Sequence, residues 1–512
     1  MRIQKLQPAL LVSIAIWIVY TLYLCLSGTR LPGSDVFIFK EAGVNLALRG
    51  KFVVSNLPYM DFNQELTYYF YPPVYPFLFG IYTKLVGFGL AQGMFFDCLI
   101  RLIRTLIMGF FVWKSFEKTK NHFSPILIFC FLALSLLTSD GDRPDDLAFI
   151  FGFLSFACLI STSRRRIILS GLFLGLCAGT SGAAGAFFAI AIAATLWPWK
   201  NTWKSLVTTA GISIVTFVLI LSPIYFNHPE LYKLFTRQAS ISNFAYVPNL
   251  GPWTTHFSQN IAMWFRYFIE CFKASPTTSF AAIVLLLPAL IGKKRIASRI
   301  EDSALWIASL LMFAMVGLIW VLQPYYLWFA YLSLFVILAK RAEDSDKRNK
   351  VLFFFLCLSL VPKFWEEQKA FILSFQVPAT ETAQAIEKEL RLQIPAGSRI
   401  ATTPDQFYNI SRENKVSNID YVCLHLDDTK FVYLSRFTNS KEHSPVAIPC
   451  KNRMACFEVV KDLSQNPQVT FFGTQFPNYV RTSGGTLYRN ARCEGQNIPW
   501  NVTAEEWLEK RR

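Results

Sequence analysis

The chain has 512 residues, of which 53% are hydrophobic and 48 are phenylalanine, which is more apolar surface than one soluble core buries. Its net charge of +16 is also typical of nucleic-acid-binding proteins, but residues 366–512 contain 18 basic and 17 acidic residues, leaving 32 basic and 17 acidic upstream. That excess lies in short loops between apolar runs, such as Arg164-Arg165-Arg166 and Lys293-Lys294-Arg295. The composition therefore argues against a nucleic-acid partner and favours a membrane protein with these loops in the cytoplasm.

The first apolar run, residues 8–26, follows Arg2 and Lys5 and is predicted to be a transmembrane helix that starts in the cytoplasm. No small-x-small cleavage site is evident and more apolar runs follow, so a signal peptide is not the preferred interpretation. The next segment, residues 27–90, should then lie outside. Its aromatic end, residues 71–89, is predicted to be an interfacial or re-entrant helix, because a full span there would move basic loops to the outside.

Ten further apolar runs are predicted to cross the ~30 Å hydrocarbon layer as helices. They are residues 93–113, 124–139, 147–162, 167–180, 183–197, 205–226, 278–292, 303–322, 325–339 and 350–365. With the first run, this makes about eleven spans, and every basic cluster falls in the cytoplasm. The chain is thus predicted to be a multi-pass protein of the plasma or inner membrane, or of the ER membrane in a eukaryote, surrounded by membrane lipid.

The apolar runs stop near residue 365, and residues 366–512 are predicted to form a small extracytoplasmic α/β domain. A helix is expected over residues 381–392, a strand over 395–402 and a helix over 405–410. Cys423, Cys450, Cys456 and Cys493 could form two disulfides there, in three connectivities. The predicted fold class is therefore an all-α polytopic membrane domain, residues 1–365, followed by this domain.

Two acidic segments face the predicted outside. Asp35 follows the first span, where a lone Asp is also commonly a helix N-cap or a solvated surface residue. Between two later spans lies Ser139-Asp140-Gly141-Asp142-Arg143-Pro144-Asp145-Asp146, whose four carboxylates require solvent, Arg143 or a divalent ion. One interpretation of this cluster is a polar turn. Another is that Asp140 and Asp142 form a DxD pair that binds a metal ion. No other cofactor is predicted.

The order of four motifs resembles the GT-C superfamily of glycosyltransferases, particularly its dolichyl-phosphate mannosyltransferase and aminoarabinose transferase branch. The motifs are Asp35, the stretch from Tyr71 to Phe77, Arg101-Leu102, and Arg143-Pro144-Asp145-Asp146, and the resemblance covers roughly residues 1–198. It implies inverting transfer of a monosaccharide from a polyprenyl-phosphate donor to a lipid, glycan or protein. It also implies that Asp35 acts as the base on the acceptor and that Arg143, Pro144 and Asp145 match the family's Arg-Pro-Asp element.

The chemistry of such a transfer needs a carboxylate near the acceptor hydroxyl and cations near the departing phosphate. Asp35 and Asp145 are the predicted catalytic residues. The predicted substrate-binding residues are Arg143, Asp146, Glu65, Arg101, Tyr71, Arg237, Arg266 and Tyr325. Many relatives carry a Lys-Pro-like pair where this chain has Ser181, so the cation for the phosphate comes from elsewhere or activity is absent.

Two other functions remain open. A transporter or flippase of a lipid-linked substrate would also be basic, aromatic and many-spanning, and should carry charges at mid-membrane or broken helices. A non-catalytic relative could act as a scaffold, since a shared fold does not prove activity. The gathering of acidic residues at one membrane face favours the transferase, and the sugar, the acceptor and the oligomeric state stay open.

Overall fold

The structure is a computed structural model that describes about half of the chain. The described residues are 36–54, 66–67, 71–116, 143–159, 165–197, 202–226, 304–309, 383–403, 406–418, 429–435, 446–450, 453–463, 470–471, 474–475, 484–491 and, singly, 15, 18, 19, 22, 311, 333 and 351. The predicted spans 124–139, 278–292 and, apart from a few residues, 8–26, 303–322, 325–339 and 350–365 lie outside them. Helices occupy the described N-terminal part, and strands dominate the C-terminal part.

Eight helices and a short ribbon make up the described N-terminal part. The helices are α1 (Val36–Phe39), α2 (Glu41–Arg49), α3 (Val74–Val86), α4 (Leu90–Phe116), α5 (Asp145–Leu159), α6 (Arg166–Ala178), α7 (Gly182–Thr195) and α8 (Trp203–Tyr225). Strands β1 (Val53–Val54) and β2 (Leu66–Thr67) pair antiparallel. Helix α2 ends at Arg49, and the left-handed φ of 70° at Gly50 brings the N–H of Lys51 to the carbonyl of Asn45, while the Gly50 N–H donates to the carbonyl of Leu46.

Helix α3 lies in the segment predicted to be interfacial or re-entrant. It has 13 residues, fewer than the roughly 20 that a membrane-spanning helix needs. Among the described residues, one helix is both long and apolar enough to cross a membrane, and it covers Trp203–Ile224 in α8. Helices α4 to α7 lie within or around the predicted runs 93–113, 147–162, 167–180 and 183–197.

Helices α5, α6 and α8 pack closely because small residues line their contacts. A Cβ on Gly175 of α6 would lie 2.5 Å from the Cβ of Thr216 on α8, so only glycine permits this approach. Ser155 of α5 donates a hydrogen bond of 2.7 Å to the carbonyl of Ser170 on α6. Ile214 and Val218 of α8 are at least half exposed in the described structure, as expected of a helix that faces lipid.

The described residues of the C-terminal part form a mixed six-stranded sheet and two helices, α9 (Ala383–Gln393) and α10 (Phe407–Ile410). The strands are β3 (Arg399–Thr402), β4 (Lys415–Asn418), β5 (Thr429–Ser435), β6 (Val446–Cys450), β7 (Arg453–Asp462), β8 (Thr470–Phe471), β9 (Thr474–Gln475) and β10 (Gly485–Ala491). The sheet order is β4-β3-β5-β10-β7-β6, with β3 parallel to β4 and β5 and the other pairs antiparallel. Strands β8 and β9 form a separate ribbon.

The two centre strands of the sheet are covered on both faces. Val432 and Tyr433 of β5 are consecutive and fully buried, and so are Leu487 and Tyr488 of β10. Since neighbouring residues of a strand point to opposite faces, both faces of the sheet centre pack against other elements. The β6–β7 register pairs Cys450 with Arg453, which lies three positions from Cys456 on β7. The Cα atoms of Cys450 and Cys456 are therefore about 10 Å apart along the strands, beyond disulfide reach.

Helix α10 joins the C-terminal part to the helices. Phe407 packs edge-to-face on Phe37 of α1, with ring centroids 5.3 Å apart. Arg412 donates a 2.6 Å hydrogen bond to the carbonyl of Phe88, and Arg49 donates one of 3.1 Å to the carbonyl of Asn414. One cluster of buried apolar residues runs from α1, α3 and α4 through α10 into the sheet.

Candidate active site

Lys40 lies at the corner between α1 and α2 and is completely buried. Its Nζ lies 2.5 Å from Oδ2 of Asp97 on α4 and donates to the carbonyl of Gly93 at 3.3 Å. It also lies 5.0 Å from the ring centroid of Phe79 and 5.7 Å from that of Tyr408. A buried ammonium needs such partners to replace its hydration, so this corner is held firmly to α4.

Asp97 receives a second hydrogen bond from α3. The hydroxyl of Tyr75, which is fully buried, donates to Oδ1 of Asp97 at 2.6 Å. Each carboxylate oxygen therefore has a donor, one from α3 and one from the α1–α2 corner. This arrangement satisfies a buried negative charge and ties three helical elements to one side chain.

Asp146, in the first turn of α5, contacts two arginines of α4. Arg104 Nη1 donates to its Oδ1, and Arg101 Nε lies 3.9 Å from its Oδ2. All three side chains are less than a tenth exposed. A carboxylate in the first helical turn is also stabilised by the partial positive charge of the helix N-terminus. Asp146 therefore fixes α4 to the start of α5.

Arg143 and Asp145 form a second buried pair beside the first. Arg143 Nε donates to Asp145 Oδ2 at 2.7 Å, and its guanidinium lies 5.4 Å from the ring centroid of Phe39. Phe39 also contacts Tyr71, whose ring centroid is 4.8 Å away in an edge-to-face arrangement. Phe39 is the last residue of α1 and directly precedes Lys40. The two charged clusters therefore meet at the end of α1.

Helix α4 connects these clusters through one of its faces. Asp97, Arg101 and Arg104 are spaced four and then three residues apart, which places them on the same face of a helix. Seven residues rise about 10 Å along the axis, which is the distance along α4 between Asp97, the partner of Lys40, and Arg104, the partner of Asp146. The arrangement is a dense set of buried cations, each of which has a carboxylate partner.

The structure brings five of the residues predicted from sequence into this site. Arg101, Arg143, Asp145, Asp146 and Tyr71 contact one another directly or through Phe39 and α4. The other predicted residues lie outside the described ones and remain predictions: Asp35, Glu65, Asp140, Asp142, Arg237, Arg266 and Tyr325. Within the described ranges, no group of three His, Cys, Asp or Glu residues could hold a metal ion.

Sequence reasoning assigned no role to Lys40, Tyr75, Asp97 or Arg104. The available signal was the four-and-three spacing of charged residues inside the apolar run of α4, because isolated charges in such a run need buried partners. Ser181, where the resemblance implied a lysine, is the N-cap of α7 and is 1% exposed. The neighbouring Gly179 carbonyl accepts a hydrogen bond from Val74 N–H at 3.1 Å, so this turn lies beside the start of α3.

Comparisons with known proteins reveal similarity to solved structures. No protein-family model and no curated protein matches the chain. Apo ArnT from Cupriavidus metallidurans is similar with a TM-score of 0.51 and 12% sequence identity, over 93% of this chain and 97% of that chain. ArnT from the same organism bound to undecaprenyl phosphate has a TM-score of 0.48 and 11% identity, over 87% and 96%. The apo structure shows that this chain shares the overall polytopic membrane fold of that ArnT structure.

Proposed function

We propose that the chain is a membrane glycosyltransferase that moves a monosaccharide from a polyprenyl-phosphate donor to a hydroxyl of a lipid, glycan or protein on the extracytoplasmic face. The observation that carries the proposal is the buried cluster in which Asp145 and Asp146 orient Arg143, Arg101 and Arg104. Four residues of this cluster, Arg101, Arg143, Asp145 and Asp146, belong to the motifs that resemble the GT-C superfamily, and the similarity of the fold to that of apo ArnT supports the proposal.

The reaction is an inverting displacement at the anomeric carbon. The acceptor oxygen forms a bond to that carbon, the bond from the carbon to the phosphate oxygen breaks, and a base takes the proton of the acceptor hydroxyl. Preorganised cations stabilise the negative charge that grows on the phosphate. In this proposal, Asp35 is the base and the arginines of the cluster hold the phosphate.

Each carboxylate of the cluster has a distinct role in the proposal. Asp145 accepts a hydrogen bond of 2.7 Å from Nε of Arg143 and so orients that guanidinium. Asp146 holds Arg104 and lies near Arg101. Glu65, Tyr71, Arg237, Arg266 and Tyr325 are proposed to complete the substrate site. In this proposal, the arginines on α4 and Arg143 supply the positive charge that a lysine in place of Ser181 would provide.

Support for Asp35 as the base comes from its neighbours in the chain. Asp35 directly precedes α1, a helix of four residues that spans only about 6 Å. The other end of that helix is Phe39, which contacts Arg143 and Tyr71. The helix itself is buried and fixed by Lys40. Asp35 is thus joined to the start of this anchored segment by a single peptide bond.

The test is transfer by purified protein from a panel of radiolabelled polyprenyl-phosphate sugars. Wild type should transfer at least one sugar, and Asp35→Asn should lower the rate by about 10²–10⁴-fold at unchanged expression, as expected for loss of a general base. Glu413→Gln is the matched control, since it makes the same carboxylate-to-amide change on an exposed residue of the C-terminal part. A rate for Asp35→Asn equal to that of the control would remove Asp35 from the mechanism.

A transporter of a lipid-linked substrate is the second candidate. The observation in its favour is that Asp97, Arg101 and Arg104 are charged residues inside α4, where membrane proteins place substrate and ion pathways. Vesicles that contain the protein and a fluorescent lipid-linked sugar separate the two functions. A transporter would move the lipid across the bilayer with Asp35→Asn as fast as with wild type, whereas a transferase would leave its sidedness unchanged.

A further inference from the structure

We propose that Tyr408, in the C-terminal part, is a positioning residue for the site on the helices. Its ring rests on Gly93 and over Lys40, and so holds the Lys40–Asp97 pair that anchors α1. The inference deepens the proposed function and rests on it, because it makes the C-terminal part a working component of the same site.

Gly93 and Tyr408 fit together with no space to spare. A Cβ added to Gly93 would overlap the end of the Tyr408 ring, so this contact requires glycine. The ring is 1% exposed and is packed by Phe407 at 5.3 Å and by Phe88 at 5.7 Å between centroids. A ring enclosed in this way cannot swing aside without moving α10.

The same two residues are in contact with Lys40. The carbonyl of Gly93 accepts a hydrogen bond from Lys40 Nζ at 3.3 Å, and the Tyr408 ring lies 5.7 Å from that nitrogen. An ammonium near the face of an aromatic ring is attracted to it, more strongly where water is excluded. Tyr408 therefore limits, together with Asp97, where the Lys40 ammonium can lie.

Displacement of Lys40 has a short route to the arginine cluster. Phe39, the residue before it, carries the Arg143 guanidinium on its ring at 5.4 Å, and Arg143 is paired with Asp145 at 2.7 Å. Tyr408 is connected to Arg143 through Lys40 and Phe39, which are adjacent in the chain and buried. A change at Tyr408 should therefore reach the cluster.

Two hydrogen bonds set the position of α10 relative to the helices. Arg412 binds the carbonyl of Phe88 at 2.6 Å, and Arg49 binds the carbonyl of Asn414 at 3.1 Å. They connect the C-terminal part to the α3–α4 turn and to the end of α2. The C-terminal part is thereby docked in one register, with Tyr408 directed at Gly93.

The experiment uses the full-length protein in lipid nanodiscs and four variants. Gly93→Ala places a methyl group in the space of the ring, and Gly211→Ala makes the same change on α8, where nothing lies within 4 Å of the added Cβ. Tyr408→Leu removes the ring, and Tyr408→Phe keeps it. Hydrogen exchange is followed in peptides that cover α1 and α2, and kcat and KM are measured with the donor that the panel identifies.

Gly93→Ala and Tyr408→Leu should raise exchange in α1 and α2 by about tenfold and lower kcat per folded molecule by at least about tenfold, with donor KM changed less than about twofold. Gly211→Ala should match wild type in both exchange and kcat, and Tyr408→Phe, which keeps the ring, should keep most of the wild-type kcat. If Gly93→Ala and Tyr408→Leu lower only the melting temperature, with exchange in α1 and kcat unchanged, Tyr408 merely joins two parts and the inference is wrong.

The outcome also separates this inference from the proposed function. If wild type transfers no sugar from any donor, the proposed function fails, and exchange in α1 and α2 alone decides whether Tyr408 controls the Lys40 corner. If wild type is active and the four variants show no difference in exchange or kcat, the transferase stands and the coupling is overturned.

Discussion

The buried ion pairs beside α4 and the exposed ion pairs of the C-terminal part have similar geometry in different surroundings. Lys40 Nζ lies 2.5 Å from Asp97 Oδ2, and Lys461 Nζ lies 2.6 Å from Glu389 Oε2. The side chains of the first pair are 0% and 13% exposed, and those of the second are 39% and 38% exposed. The two parts of the molecule thus use the same contact in opposite environments.

This difference shows that contact distance alone does not determine how much an ion pair contributes to the free energy of unfolding. An exposed side chain that loses its partner is rehydrated, so such pairs contribute about 0–1 kcal/mol. A buried charge that loses its partner has no water to replace it, and the loss costs about 3–5 kcal/mol. The charges on α4 should therefore decide whether the site forms, whereas those of the C-terminal part should be dispensable.

The largest expected effect is that of Asp146→Asn. The substitution keeps the shape of the side chain but removes the charge that Arg104 and Arg101 contact, so the free energy of unfolding should fall by about 3–5 kcal/mol. Denaturation in mild detergent measures it. Glu413→Gln, on an exposed side chain, is the control and should change stability by less than about 1 kcal/mol. Equal losses in both variants would refute the comparison.

A double-mutant cycle on Lys40 and Asp97 sharpens the comparison. Lys40→Met and Asp97→Asn should each destabilise the protein by several kcal/mol, because each leaves the other charge buried. The double variant should regain about 1–3 kcal/mol of the summed loss, since two neutral side chains replace the pair and Asn can still accept from Tyr75. Additive losses would mean that the two charges act independently.

Arg391→Gln should have a small effect. Arg391 lies 2.6 Å from Glu387 and 3.4 Å from Glu413, but its side chain is 37% exposed. Removing its charge should cost about 0.5 kcal/mol, typical of helix pairs four residues apart. Denaturation at low and high salt checks this value, and the difference from wild type should shrink as salt screens the charges. A loss as large as that of Asp146→Asn would contradict it.

The smallest expected effect is the pH dependence of the Glu389–Lys461 pair. The hydrogen bond and positive charge of Lys461 hold the pKa of Glu389 below its ordinary value of 4.5. A lowered carboxyl pKa stabilises the folded state above the ordinary value, and the stabilisation is lost as the pH falls through the lowered pKa. The stability difference between wild type and Glu389→Gln should therefore be constant at neutral pH and disappear in acid. If the stability difference persisted in acid, it would come from packing of the side chain and not from its charge.

Much of the helical part was predictable because lipid imposes one simple pattern. Each of the runs 93–113, 147–162, 167–180, 183–197 and 205–226 contains or overlaps a helix, since a segment in hydrocarbon must satisfy its own backbone hydrogen bonds. The segment 71–89, predicted to be an interfacial or re-entrant helix, contains α3, which begins directly after Pro72-Pro73. The mixed sheet was less predictable, since its neighbours β5 and β10 are far apart in sequence.

Three of the five predicted residues in the site share one motif. Arg143, Asp145 and Asp146 stand together in the sequence, where four carboxylates demand an explanation, and the structure places all three in one buried cluster. Lys40 and Arg104 had no such local signal. Their partners are 57 and 42 residues away, so their importance depends on which helices pack together.

The sequence by itself determined that this is a multi-pass membrane protein with a polar C-terminal part and an acidic Arg-Pro-Asp element, because hydropathy and charge act locally along the chain. Only the tertiary structure decided that one face of α4 joins Lys40 to Asp146, and that Tyr408 of the C-terminal part rests on Gly93. Such contacts arise from close packing between distant segments, where a missing Cβ or a buried charge matters only beside its partner.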